Sequence, residues 1–166
     1  MEHHKQILMD LVRSVPPDKY LQQPNPHRWS AGQAANHLYL SEKLSLAYLR
    51  KKMSYPDTIP KFHFKSWLAM FTYKIILTGI VKASAPKQIN MWGDHEVFPP
   101  DQLDQKWSEL RAELFGFIRE KHPQFKNDLV FKHPFAGRLS MQQMLVFFND
   151  HIRHHTKQVR RILNEI

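Results

Sequence analysis

The sequence predicts an all-α fold, and three observations carry that expectation. Apolar residues recur at steps of three and four in four separate segments, the period of a helix with one buried face. Two of those segments open on a Ser followed three residues later by a Gln, the spacing of a capping box. Proline falls between the segments, at Pro16-Pro17, Pro24, Pro26, Pro56 and Pro99-Pro100, where it stops one helix or starts the next.

Taken in order, residues 2–14 form a short first helix carrying Ile7, Leu8, Leu11 and Val12, and it ends at Pro16-Pro17. A Pro-rich connection runs through Pro26. The second helix is expected from about 31 to 53, with Ser30 as N-cap and Gln33 completing the box. Its seam reads Gln33/Ala34, His37, Leu40, Leu44, Tyr48. The third begins after Pro99-Pro100 with the seam Leu103, Trp107, Leu110, Leu114, Phe117 and continues to about Glu120. Residues 122–139 read as a loop. The fourth helix runs from Ser140 to about 163, capped by Ser140 and Gln143, with the seam Met141, Met144, Phe148, His151, His155, Gln158, Ile162.

Between the second and third helices lies a long connection, about 55–98. Its residues 66–81 are apolar on most sides, yet the run is short for a membrane span and holds Lys74 in its middle. No transmembrane span is expected. A buried extra helix or a dimer contact accounts for it better than an interfacial membrane helix, which Lys61, Lys65, Lys74 and Lys82 would favour. A connection of this length is often functional, and this one could cover a pocket.

Composition narrows the classes. A chain of 166 residues with no cysteine is expected to be one domain, without disulfides, thiolate nucleophile or Cys-based metal site of its own. The formal charge of +9 is dispersed, with only Arg50-Lys51-Lys52 and Arg160-Arg161 as clusters. No phosphate loop, zinc finger or RNA-binding aromatic pattern is present, so specific nucleic-acid binding is not expected. The start, Met-Glu-His-His-Lys-Gln, lacks an apolar signal segment, and a cytoplasmic location is expected.

The chemistry points to histidine. His151 and His155 are four residues apart, so on a helix they share one face. They also occupy the apolar seam, where a lone histidine is usually a hydrogen-bonded core residue. Two in successive turns are harder to dismiss, because each buried ring costs about 1–3 kcal/mol unless satisfied. His37 is a third histidine in a seam position. Three imidazoles with one open position form a catalytic-type metal site, for which Zn, Ni, Fe, Co and Mn all qualify. His154 lies at the edge of the stripe and is a weaker ligand. His27, His63, His95, His122 and His133 fall in or beside connections, and most are expected to be solvated, with His95 in a loop that could border a pocket, while His3 and His4 sit near a fraying terminus. Glu42 and Asp150 lie near the ligands in sequence but off the seam. Asp150 is offered as a hydrogen-bonding support for a ligand, and no catalytic base is assigned.

These pieces together resemble the DinB-like superfamily. The matching segments are Trp29-Ser30 followed by His37, and His133-Pro134-Phe135-Ala136-Gly137-Arg138-Leu139-Ser140 followed by His151 and His155. The resemblance covers the chain in order, apart from about 55–98. It implies an up-down-down-up four-helix bundle, here with an extra helical insertion between the second and third bundle helices. It also implies a divalent metal, commonly zinc or nickel, on His37, His151 and His155. Several members are thiol transferases that use low-molecular-weight thiols such as bacillithiol or mycothiol, and some members have lost the triad, which is complete here. The resulting expectation is a metal-dependent hydrolase or thiol S-transferase acting on a small-molecule substrate, as a homodimer. The competing reading is a non-catalytic helical module, with a structural or vestigial metal site, acting through protein–protein contacts. A basic membrane-surface or nucleic-acid binder is the third.

Overall fold

The computed structural model describes residues 1–61, 96–133 and 137–166. Five α-helices account for most of them: α1 (Glu2–Arg13), α2 (Pro17–Leu21), α3 (Ala31–Met53), α4 (Pro100–Phe125) and α5 (Met141–Glu165). A 3-10 turn (Pro56–Thr58) follows α3. A small antiparallel hairpin, β1 (Phe131–His133) and β2 (Gly137–Leu139), precedes α5. Among the described residues no helix is long and apolar enough to cross a membrane. The apolar run at 66–81 lies outside the described residues.

Both capping boxes form. The Ser30 amide donates to Gln33 Oε1 at 2.9 Å and the Gln33 amide donates to Ser30 Oγ at 3.1 Å. At α5 the Ser140 amide donates to Gln143 Oε1 at 2.9 Å and the Gln143 amide donates to Ser140 Oγ at 3.2 Å. Each box satisfies two amides that a helix start otherwise leaves without partners. It thereby fixes where the helix begins, and so the face on which every later residue falls.

Three differences from the sequence expectation have physical causes. The Pro-rich connection contains α2, started by Pro16 and Pro17, whose fixed φ suits a first turn. Tyr20 anchors it, buried and donating from its hydroxyl to the Phe98 carbonyl at 3.0 Å. The loop expected at 122–139 is partly ordered: α4 continues past Pro123 to the buried Phe125, and the hairpin follows. In β1 the side chains alternate, with Phe131 and His133 buried and Lys132 exposed, the period of a half-buried strand. Gly137 opens β2 at φ +71°, a conformation that disfavours any residue with a Cβ. Finally, the α3 seam is rotated. Leu44 is 52% exposed, whereas Glu42 is 2% exposed among Leu38, Ser45, Leu46 and Leu49. Glu42 is therefore not off the seam.

The chain divides into two compact units. Unit 1 comprises residues 1–41, 85–110 and 149–166, and unit 2 residues 42–84 and 111–148. Unit 1 buries Leu8, Val12, Ala34, Leu38, Trp107, Ile152 and Val159. Unit 2 buries Leu46, Leu49, Leu114, Phe125, Val130, Met144 and Phe148, with Phe131, Phe147 and Phe148 in mutual ring contact. Its buried ion pair joins Arg111 to Glu42, with Nε and Nη2 donating to the two carboxylate oxygens at 2.9 and 2.6 Å.

Candidate metal centre

His37, His151 and His155 all belong to unit 1, and the structure brings them together. α3 supplies the first, two helical turns below the Ser30 cap. α5 supplies the other two from successive turns of one face. One ring nitrogen from each lies within 4.8 Å of the other two. Nε2 of His151 stands 3.3 Å from Nε2 of His37 and 3.0 Å from Nε2 of His155. Two nitrogens each about 2.0–2.1 Å from one cation would stand about 2.9 Å apart at a right angle and about 3.3 Å apart at the tetrahedral angle. The observed separations fall in that interval.

The electrostatics suit a cation ligand set. His37 and His155 are buried, and His151 is half-buried. Burial pushes the His37 pKa down to about 4. It holds His155 well below the ordinary value too, reinforced by the neighbouring His37 and His154 and opposed by the hydrogen bond that His155 donates to Gln158. Both rings are neutral at pH 7 with lone pairs available. Nδ1 of His155 stands 2.7 Å from Oε1 of Gln158. Because a carbonyl oxygen only accepts, Nδ1 carries the proton and Nε2 presents its lone pair to the cluster. Among the described residues no fourth His, Cys, Asp or Glu joins the group.

Trp29 forms an aromatic wall. Its ring lies 4.9 Å from that of His37 and stacks at 6.2 Å on that of His155. The rings of the triad are themselves 4.6 to 5.1 Å apart.

The profile of the DinB superfamily matches residues 1–159, a span that includes Trp29 and all three histidines. The chain belongs to the DinB superfamily. No curated protein and no solved structure matches it.

In this DinB-superfamily chain the remaining sequence candidates fall outside the cluster. His154 packs edge-on against His155 at 5.2 Å, and its nitrogens are not part of the group. Asp150 pairs with Arg153 at 3.5 Å. The support bonded to a triad ring is Gln158 instead. Its spacing of three from His155 on one face was the available signal. Glu42 is committed to Arg111 and has no place in the group. His133, expected to be solvated, is 7% exposed and lies 4.4 Å from the Phe147 ring, and burial lowers its pKa to about 4. His63 and His95 lie outside the described residues. His27 is exposed, and His3 and His4 are held in α1 rather than frayed.

Proposed function

We propose that this protein is a metal-dependent enzyme whose divalent cation is held by Nε2 of His37, His151 and His155. Zinc and nickel head the candidates. The observation that carries the reading is the convergence of three imidazole nitrogens, with Nε2 of His151 at cation-sharing separations from Nε2 of both His37 and His155, and His155 held in the ligating tautomer by Gln158. Membership of the DinB superfamily supports it, as do four helices of 12 to 26 residues, consistent with a single up-down-down-up bundle domain and an insertion at about 55–98.

A bound cation would supply a Lewis acid that makes water or a thiol acidic enough to ionise near pH 7. The chain's own residues do the rest. Gln158 fixes the tautomer and orientation of His155. Trp29 packs against two of the rings and shields that side from water. His151, the most exposed of the three, marks the side from which a small molecule approaches. A fully protein-coordinated structural site would need a fourth ligand, and among the described residues none joins, which favours the enzyme over the non-catalytic module. With no cysteine in the chain, thiol chemistry requires an external low-molecular-weight thiol. The reaction is thiol S-transfer or hydrolysis of a small molecule, carried out by a cytoplasmic homodimer.

Cobalt-substituted protein titrated with a low-molecular-weight thiol tests the reading. A thiolate-to-cobalt absorption band that disappears in His151→Ala supports thiol transfer. No band, together with metal-dependent cleavage of an ester or amide panel by water, supports hydrolysis. No band and no metal-dependent turnover would sink the enzyme reading.

A further inference from the structure

The hairpin carries a second feature, independent of the histidine cluster. Its register sets Lys132 directly opposite Arg138. With Phe131, His133 and Leu139 buried on the other face, both cations project from the same outer face. Like charges in directly opposed positions destabilise a strand pair. Native hairpins normally place an opposite charge or a hydroxyl there.

Nothing within the described chain relieves the repulsion. In unit 2, Glu42 pairs with Arg111, Glu113 with Arg50, Glu120 with Lys121 and Asp128 with Lys61. Asp57, in the 3-10 turn, is the remaining carboxylate of that unit's described residues. Neither Lys132 nor Arg138 has an ion pair or side-chain hydrogen bond among the described residues. Arg138 is half-buried, and its Nη1 is fully enclosed with no acceptor. A guanidinium cannot shed its charge to escape that cost. Partial desolvation makes its exposed edge a stronger anion donor than a fully solvated arginine. Lys132 adds an exposed ammonium beside it, and α5 begins three residues after Arg138. The Ser140–Gln143 box already occupies two of that helix's first amides, so the helix end contributes positive field more than donors.

We propose that Lys132 and Arg138 form an anion site for the phosphate group of a small phosphate monoester. The planar guanidinium fork matches two oxygens of a phosphate, and the ammonium supplies a second point charge. Two cations are balanced by a dianion, which a phosphate monoester is at neutral pH and a carboxylate is not. The site shares no residue with the metal centre, and its argument does not rest on that centre.

The test uses the full chain, with inorganic phosphate as probe and acetate or chloride at matched ionic strength as references. Phosphate should shift the backbone amide NMR signals of Lys132, Gly137 and Leu139, leave those of His37 and His151 in place, and raise Tm above both reference salts. Arg138→Gln should weaken phosphate binding at least 10-fold, and Lys132→Gln about 3-fold. In chloride alone both variants should melt at or slightly above the parent temperature, because each removes the repulsion. The proposal is overturned if phosphate acts no differently from acetate, or if its shifts map to the histidine cluster. It is equally overturned if Arg138→Gln binds phosphate as the parent does. A fall of several degrees for Arg138→Gln in chloride would show that the guanidinium already serves a structural partner, and would also overturn it.

Discussion

The two compact units bury polar side chains in opposite ways. Unit 2 places a base against an acid: the Arg111 fork meets both Glu42 oxygens, and each charge has its complement inside the chain. Unit 1 places three bases together, with ring nitrogens facing one point and, among the described residues, no carboxylate in the group. A matched pair is complete and therefore structural. A set of converging imidazole nitrogens is the kind of group that a divalent cation from outside would complete. That contrast, more than the burial of polar groups itself, separates the matched pair, which holds the fold, from the cluster proposed to bind a metal.

Breaking the matched pair should have the largest effect on stability. Glu42→Ala or Arg111→Ala leaves an uncompensated buried charge, at a cost of about 3–5 kcal/mol. Replacing both with Leu and Met should restore most of that loss in a urea melt, and metal content per folded chain should not change. A single replacement costing under about 1 kcal/mol would show that the pair is not closed. Smaller, and confined to the other region, is the effect of Gln158→Ala. It should weaken metal affinity about 10–100-fold, the usual cost of losing a partner that orients a ligand, with little change in the apo melting temperature. Equal metal affinity in that variant would remove Gln158 from the account.

The subtlest distinction is in pH. His133 is a buried base outside the cluster, with its folded pKa pushed down to about 4. The unfolded chain takes up a proton near 6.5, so it binds more protons than the native state between those values. Stability therefore falls as pH drops from about 6.5 to about 4, at up to about 1.4 kcal/mol per pH unit for each such group. His37 follows the same sign by the same cause. In metal-free protein, His133→Phe should flatten the acid limb of the stability curve by one group's worth. An unchanged limb would mean that His133 is protonated in the folded state.

Much of this was legible in sequence. The Ser-x-x-Gln pairs at Ser30 and Ser140 placed both helix starts, and from those starts counting by three and four put His37, His151 and His155 in the interior. The misses share a cause. Stepping along apolar residues from His37 led to Leu40 and Leu44, because Glu42 carries a charge and its partner Arg111 stands 69 residues away. No local pattern reveals that a charge is paid for by a distant helix. His133 reads as loop in the sequence because its strand is three residues long, too short for a period of two to stand out. Gln158 was visible on the seam, but its role depends on which nitrogen of His155 bears the proton, a fact of geometry rather than spacing.

The most direct measurement is the metal content of protein purified without a histidine tag, by elemental analysis. Close to one divalent metal is expected per parent chain, and well under a tenth of that for His37→Ala and His155→Ala, while Glu42→Ala should retain the parent value per folded molecule. A parent chain without metal after reconstitution with zinc or nickel would contradict the central claim. So would a His37→Ala variant that binds one equivalent at parent affinity.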